Sequence, residues 1–387
     1  MKRTFAACAA ALFLATAVPA CAGAPVKIGM ITTLSGPGGY LGEDIRDGFK
    51  LALAEEGGKL GGVSAELLAE DDAQNPGKAR QIAERFLEDN GVKIFTGIVY
   101  TNLVQATVPE ILDAGAFYLS ANTSPNNFAG KGCNKNYFAV GQQNDSQNFA
   151  AGEIANRLGF KRMILLAPNY EAGKDAVNAF KKAFKGQVLN EIYTKLDQTD
   201  FSAEDAQIRA AKPDAVYQFL PGGLGIASLK QYVQAGLKDT VPIIVHAMDG
   251  HTLAAVGDAA LGVHAAVDWN ADFDNPANQR FVADFQKAYG RMPTYYAARG
   301  YDTARLIGSA LKAVNGDLDK ADAFRAALRK ADFASVRGAF KFAPNQHPIQ
   351  NWYMTEVVKG ASGALTIKTV DKVLSDFTDP YGVDCKM

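Results

Sequence analysis

The strongest constraint on this chain is a pattern met twice: short apolar runs, each followed by an amphipathic helical stretch. Candidate strands run over residues 26–31, 65–69, 93–98 and 116–120, then again over 162–167, 191–194, 215–220 and 241–247. Between them Ile45, Phe49, Ala52 and Leu53 recur at helical spacing. The stretch NPGKARQIAERFLEDNG carries Pro76 near its first turn and Gly91 past its end, as helix start and stop signals do. SAEDAQIRAAKP and GIASLKQYVQAG repeat the design. Such alternation predicts parallel sheets with right-handed crossovers. One set ends near Gly141 and the next begins near Arg162, with the short polar stretch VGQQNDSQ as the crossing. Near the end, GAFKFAPNQHPIQNWYMTEVVKG reads as two strands that join an existing sheet. The expectation is an α/β protein of two similar lobes with several chain crossings.

The first 22 residues stand apart. Lys2 and Arg3 precede FAACAAALFLATAV, an apolar run of 14 residues, short of the about 20 that span a bilayer. ACA at Ala20–Ala22 then offers a cleavage site, so the segment reads as a secretory signal peptide and the mature chain as exported. VPAC also loosely resembles a lipoprotein box, with Cys21 as the acylated residue; Pro19 fits that box poorly. Of four cysteines, cleavage leaves Cys133 and Cys385. In an exported protein such a pair is expected to be oxidised, two free thiols being the alternative. The net charge of −1 is spread along the chain without a basic block, which argues against a nucleic-acid partner.

The glycine-rich loop TTLSGPGGYLGED, Thr32 to Asp44, follows the first strand as a nucleotide loop would. Gly36 and Gly38 satisfy the start of a dinucleotide fingerprint, but Leu41 occupies the third glycine position. No P-loop, G-x-S-x-G elbow or H-E-x-x-H string occurs. No cofactor is therefore expected and no nucleophile–base pair stands out, so an enzyme is disfavoured. HAMDGH holds His246, Asp249 and His251, residue types that could ligate zinc. At a strand end, alternation would send those side chains in different directions, so no metal is expected.

Ligands of open parallel sheets bind outside the strands' carboxyl ends, beside helix N-termini. The loops that follow the strands carry Tyr40 and Leu41; Tyr100, Thr101 and Asn102; Ser120, Asn122 and Thr123; Tyr170; Phe219; Asp249; and Tyr295 with Tyr296. Hydroxyls, amides and free main-chain N–H groups suit a small carboxylate, and the aromatics suit an apolar or planar body. Each residue also has a structural reading, as an N-cap or a core aromatic.

Taken together, VKIGMITTLSGPGGYLGEDIRDGFKLALAE, EDDAQNPGKARQIAERFLEDNGVKIFTG, LSANTSP and QRFVADFQKAYGRMPTYYAARGYDTARLI resemble the periplasmic solute-binding proteins of branched-chain amino acid ABC importers. The resemblance covers the mature chain. It implies two Rossmann-like lobes joined by three crossovers, with residues 23–141 and 272–335 in the first lobe and 142–271 and 336–387 in the second. It places ligand contacts at Tyr100, Thr101 and Asn102; at Ala121, Asn122 and Thr123; at Tyr170; at Asp249, where the family takes an ammonium group; at Tyr296 with Tyr295; and at Leu41 with Tyr40. The ending DCKM and the stretch KGCNKNYF are similar to the branch that takes aromatic carboxylates, whose cysteine pairing would match Cys133 with Cys385. The resemblance thus implies a monomeric receptor without catalysis that captures a carboxylate of benzoate or hydroxycinnamate type and delivers it to a membrane permease. An aliphatic amino acid or amide is the alternative ligand, and a periplasmic sensor the alternative role.

Overall fold

The computed structural model describes residues 24–387; the segment read as a signal peptide, with Cys21, lies outside the described residues. The first lobe opens with β1 (Val26–Thr32), α1 (Gly39–Glu55), β2 (Lys59–Leu60), β3 (Val63–Asp71), α2 (Pro76–Glu88), β4 (Ile94–Thr96), α3 (Thr101–Asp113), β5 (Phe117–Ser120), α4 (Asn126–Ala129) and β6 (Tyr137–Ala139). The chain then crosses to α5 (Asn144–Arg157), β7 (Arg162–Pro168), α6 (Glu171–Ala183), β8 (Gln187–Thr194), α7 (Ser202–Ala211), β9 (Ala215–Gln218), α8 (Gly223–Gln234), β10 (Ile243–Val245), α9 (Gly250–Val256) and β11 (His264–Val267). It returns for α10 (Pro276–Tyr289), α11 (Tyr295–Val314) and α12 (Ala321–Lys330). After β12 (Lys341–Phe342) it ends in the hairpin β13 (Pro348–Lys359) and β14 (Leu365–Phe377).

The first sheet has the order β2-β3-β1-β4-β5-β6. Its strands run parallel except for β2. The second runs β12-β13-β11-β10-β9-β7-β8, with β14 beside β13. The α/β expectation holds, and its periodicity accounts for the packing. Met163, Leu165 and Ala167 of β7 enter one core cluster of the second lobe, while Ile164 and Leu166 enter another. A parallel strand covered on both faces needs apolar residues at every position. In the first lobe Ile28, Met30, Ile94 and Phe95 form one cluster with Phe281 and Phe285 of α10 and Leu306 of α11. That contact carries the returning helices onto the first sheet.

One helix pair fixes where the site residues stand. α1 and α11 cross so closely that a Cβ on Gly48 would lie 1.9 Å from the carbonyl oxygen of Ala297, and one on Gly300 would lie 2.1 Å from that of Ile45. The two glycines let the backbones touch. The same helices carry Tyr40 and Leu41 at one N-terminus and Tyr295 and Tyr296 at the other.

Cys133 and Cys385 are joined in a disulfide, with a Cα–Cα distance of 5.6 Å. It ties the tail beyond β14 to the loop after α4. Between them, the Tyr381 hydroxyl donates to Asp145 Oδ2 (2.8 Å) and accepts from Asn126 Nδ2 (2.9 Å).

Candidate ligand-binding cleft

Both sheets switch direction at the strand that comes first in the sequence: β1 lies between β3 and β4, and β7 between β8 and β9. A crevice opens at the carboxyl end of such a switch point. Here the two crevices face each other and bound a small cavity. Its first-lobe wall is Leu41, Val99, Tyr100, Thr101, Asn122, Thr123 and Tyr296; Gln142 and Asn144 close it at the crossing; Tyr170, Ala172, Phe219, Pro221 and His246 form the second-lobe wall. The lobes touch around it. The N–H of Gly223 donates to Pro37 O (3.0 Å), and Asn126 Nδ2 to Asp175 Oδ1 (2.9 Å). His251 of α9 packs on Tyr40 (ring centroids 4.5 Å) and stands 3.5 Å from Asp44. In the glycine-rich loop, a Cβ on Gly38 would fall 2.1 Å from the Tyr100 hydroxyl, so the bare glycine lets that ring reach the cleft mouth.

The polar side chains of the wall are largely bound to one another. Thr101 and Thr123 share a hydrogen bond (2.6 Å), Thr123 donates to Asn144 Oδ1 (2.6 Å), and Asn144 Nδ2 donates to Asp175 Oδ2 (2.9 Å). Asn122 Nδ2 donates to the Val99 carbonyl (2.9 Å), while its Oδ1 accepts from Arg299 (3.1 Å). The main chain supplies donors instead. α3 and α6 both begin at the cavity, and their N-caps are Tyr100 and Tyr170, neither of which caps its helix through the side chain. By contrast, Asn75, Asn275 and Thr294 cap α2, α10 and α11. Two helix starts from opposite lobes therefore present first-turn N–H groups and the positive ends of their dipoles to one space. Burial raises the phenols of Tyr100, Tyr170 and Tyr296 above their usual range, so they remain neutral hydroxyls.

Other residues singled out in the sequence stand elsewhere. Ala121 is fully buried in the first-lobe core. Asn102, one residue into α3, is half-buried and does not line the cavity. Tyr40 lines a small recess with Thr252 and His246. Asp249 and Tyr295 line an adjoining pocket with Met248 and Trp269. Asp249 Oδ1 caps α9 by accepting from Thr252 N (2.8 Å); Oδ2 is buried without a protein partner, and burial raises this carboxyl above its usual range. His246, Asp249 and His251 thus meet three different surroundings, and among the described residues no cluster of three or more His, Cys, Asp or Glu is arranged for a metal.

A charged network went unread in the sequence. Arg299 of α11 is fully buried and forks onto Asp268 (2.8 and 3.2 Å) while reaching Gln142 (3.0 Å) and Asn122. Arg337 bonds Asp268 (3.2 Å) and Asp302 (2.9 Å). Burial pushes the Asp268 carboxyl up, but the two guanidinium groups outweigh it and hold it below the usual range. Arg337 also donates to the carbonyls of Val140 (2.9 Å) and Gly141 (3.3 Å), so the network reaches the crossing after β6.

His246 is also held by its surroundings. Burial, reinforced by the nearby Arg299 charge, lowers its pKa from 6.5 to about 3, so the ring is neutral. An unfolded chain takes up a proton below 6.5 that the folded one refuses until about 3. This contribution to stability is intact above pH 6.5 and falls with pH by about 1.4 kcal/mol per pH unit well below it. Urea unfolding between pH 7 and 4.5 should show a shallower acid loss in His246→Phe than in the wild type; equal slopes would contradict a neutral buried ring.

A family model described as periplasmic binding protein matches residues 25–362. The Leu/Ile/Val-binding protein homolog 6 of Brucella melitensis is 28% identical over 359 residues, covering 89% of this chain and 90% of the relative. An ABC transporter solute-binding protein of R. palustris, solved in complex with benzoate, is 31% identical and superposes with a TM-score of 0.88 over 94% of this chain and 100% of its own. A solute-binding protein of Rhodopseudomonas palustris BisB5, in complex with 3,4-dihydroxybenzoic acid, is 27% identical with a TM-score of 0.84, covering 92% and 99%.

Proposed function

The chain belongs to the periplasmic binding protein family, and from that premise we propose that it is the solute receptor of an ABC importer whose ligand is an aromatic carboxylate. The observation that carries this reading is the pair of helix starts, α3 and α6, that face one cavity without side-chain caps. A carboxylate would satisfy N–H groups from both lobes at once, and the aromatic side chains of Tyr170, Phe219 and Tyr296 suit a flat ring. The benzoate and dihydroxybenzoate carried by two similar receptors support the same class.

The mechanism is closure. A ligand held by one lobe gains contacts from the other only when the cleft shuts, and so shifts the balance toward the shut form. Moving that balance from 1:99 to 99:1 takes about 5.5 kcal/mol of differential affinity. The shut form, a monomer in the periplasm after loss of the signal segment, docks on the permease, which takes the solute unchanged. The competing ligand is an amino acid, favoured by the unpartnered Asp249 Oδ2, which an ammonium group would satisfy.

A thermal-shift panel separates the two. At a hundred times its Kd a ligand stabilises by about 2.7 kcal/mol. Benzoates or hydroxycinnamates should raise the melting temperature and leucine should not. A response to leucine alone would overturn the reading.

A further inference from the structure

His246 stands at the end of β10 on the second-lobe wall, and it is 5% exposed. Its main chain is pinned on both sides: its N–H donates to Gln218 O (2.7 Å), and its carbonyl accepts from Gln147 Nε2 (2.7 Å). Its ring meets Phe219 edge to face, with centroids 4.5 Å apart. The imidazole therefore has a fixed place. Among the described residues that line this cavity, its Nδ1 is the one fully buried side-chain polar atom without a protein partner. A neutral imidazole offers one donor and one acceptor, and a buried acceptor left unpaired costs stability that a ligand can return.

Resting on the aromatic-carboxylate reading, we propose that His246 recognises a hydroxyl on the ligand's ring, so that the preferred solutes are hydroxybenzoates rather than benzoate itself. The carboxylate needs several N–H donors and finds them at the starts of α3 and α6. The ring lies among the aromatic side chains, and its hydroxyl pairs with the imidazole, as donor or acceptor according to the tautomer. The sequence displays this residue only as a possible zinc ligand; the fold turns it into a wall of the cleft.

Isothermal titration of benzoate, 3-hydroxybenzoate, 4-hydroxybenzoate and 3,4-dihydroxybenzoate tests it on the wild type and on His246→Phe. At least one hydroxylated acid should bind the wild type about tenfold more tightly than benzoate. His246→Phe should bring that ratio to about one by weakening the hydroxylated acids about tenfold, since the phenyl keeps the packing on Phe219 but offers no polar atom. Should that variant not fold, His246→Leu gives the same ratio. Equal wild-type affinities, or a loss of benzoate binding in step with the hydroxybenzoates, overturn the proposal. Benzoate binding without preference defeats this proposal alone, whereas failure of all four acids defeats the aromatic-carboxylate reading with it.

Discussion

Replacing both Cys133 and Cys385 with serine is expected to cost about 5 kcal/mol of stability, because the bridge closes a chain segment of 252 residues and so restricts the unfolded ensemble. The folded state should change little. Tyr381 keeps its bonds to Asp145 and Asn126, and no residue beyond β14 lines the cleft. Ligand affinity should therefore stay within about threefold while the urea midpoint drops sharply. Wild-type protein in strong reductant should approach the variant. An unchanged midpoint would mean that the unfolded chain is already compact enough to make the bridge redundant.

Arg299→Met should lower stability by about 3–5 kcal/mol, the usual result of removing one partner of a buried ion pair. Asp268 would keep Arg337 but lose its forked bonds, and Asn122 and Gln142 would lose a donor. Both amides line the cleft, so ligand affinity should fall as well. Arg299→Lys keeps the charge without the planar fork and should lie between the two. The decisive variant is the double one: Arg299→Met with Asp268→Leu removes both charges and should be less damaging than either change alone. Strictly additive losses would argue against the pair acting as a unit.

How much of this was legible in the sequence depends on the range of the contacts. Most of the parallel strands were legible because they carry short apolar runs, and the glycine-rich loop and the tyrosines before α3 and α6 were legible because strand ends precede helix starts. β6 and β11 are also parallel but were not read, although β4 and β10 are as short. β14 was missed because its residues are largely exposed in the sequence LTIKTVDKVLSDF, which has no continuous apolar run. The Arg299–Asp268–Arg337–Asp302 network joins residues 31 to 69 positions apart that only the crossings bring together. Asp249 and Tyr295 carried the right chemistry, but they line the adjoining pocket, while Tyr296, the next residue on α11, lines the cavity. The sequence also could not show that Thr101, Thr123 and Asn144 spend their polar groups on each other.

That last arrangement divides the labour of selectivity. A grip made of main-chain N–H groups at two helix starts has no side chain to lose, so point substitutions can hardly abolish it and cannot reverse its sign. On the proposed reading, the polarity of α3 and α6, which follows from the direction of the chain, commits the cleft to acids. Which acid is admitted rests on replaceable side chains such as Phe219, Tyr296 and His246. A lineage with this fold can change its diet residue by residue, while the charge of what it eats is written into its topology.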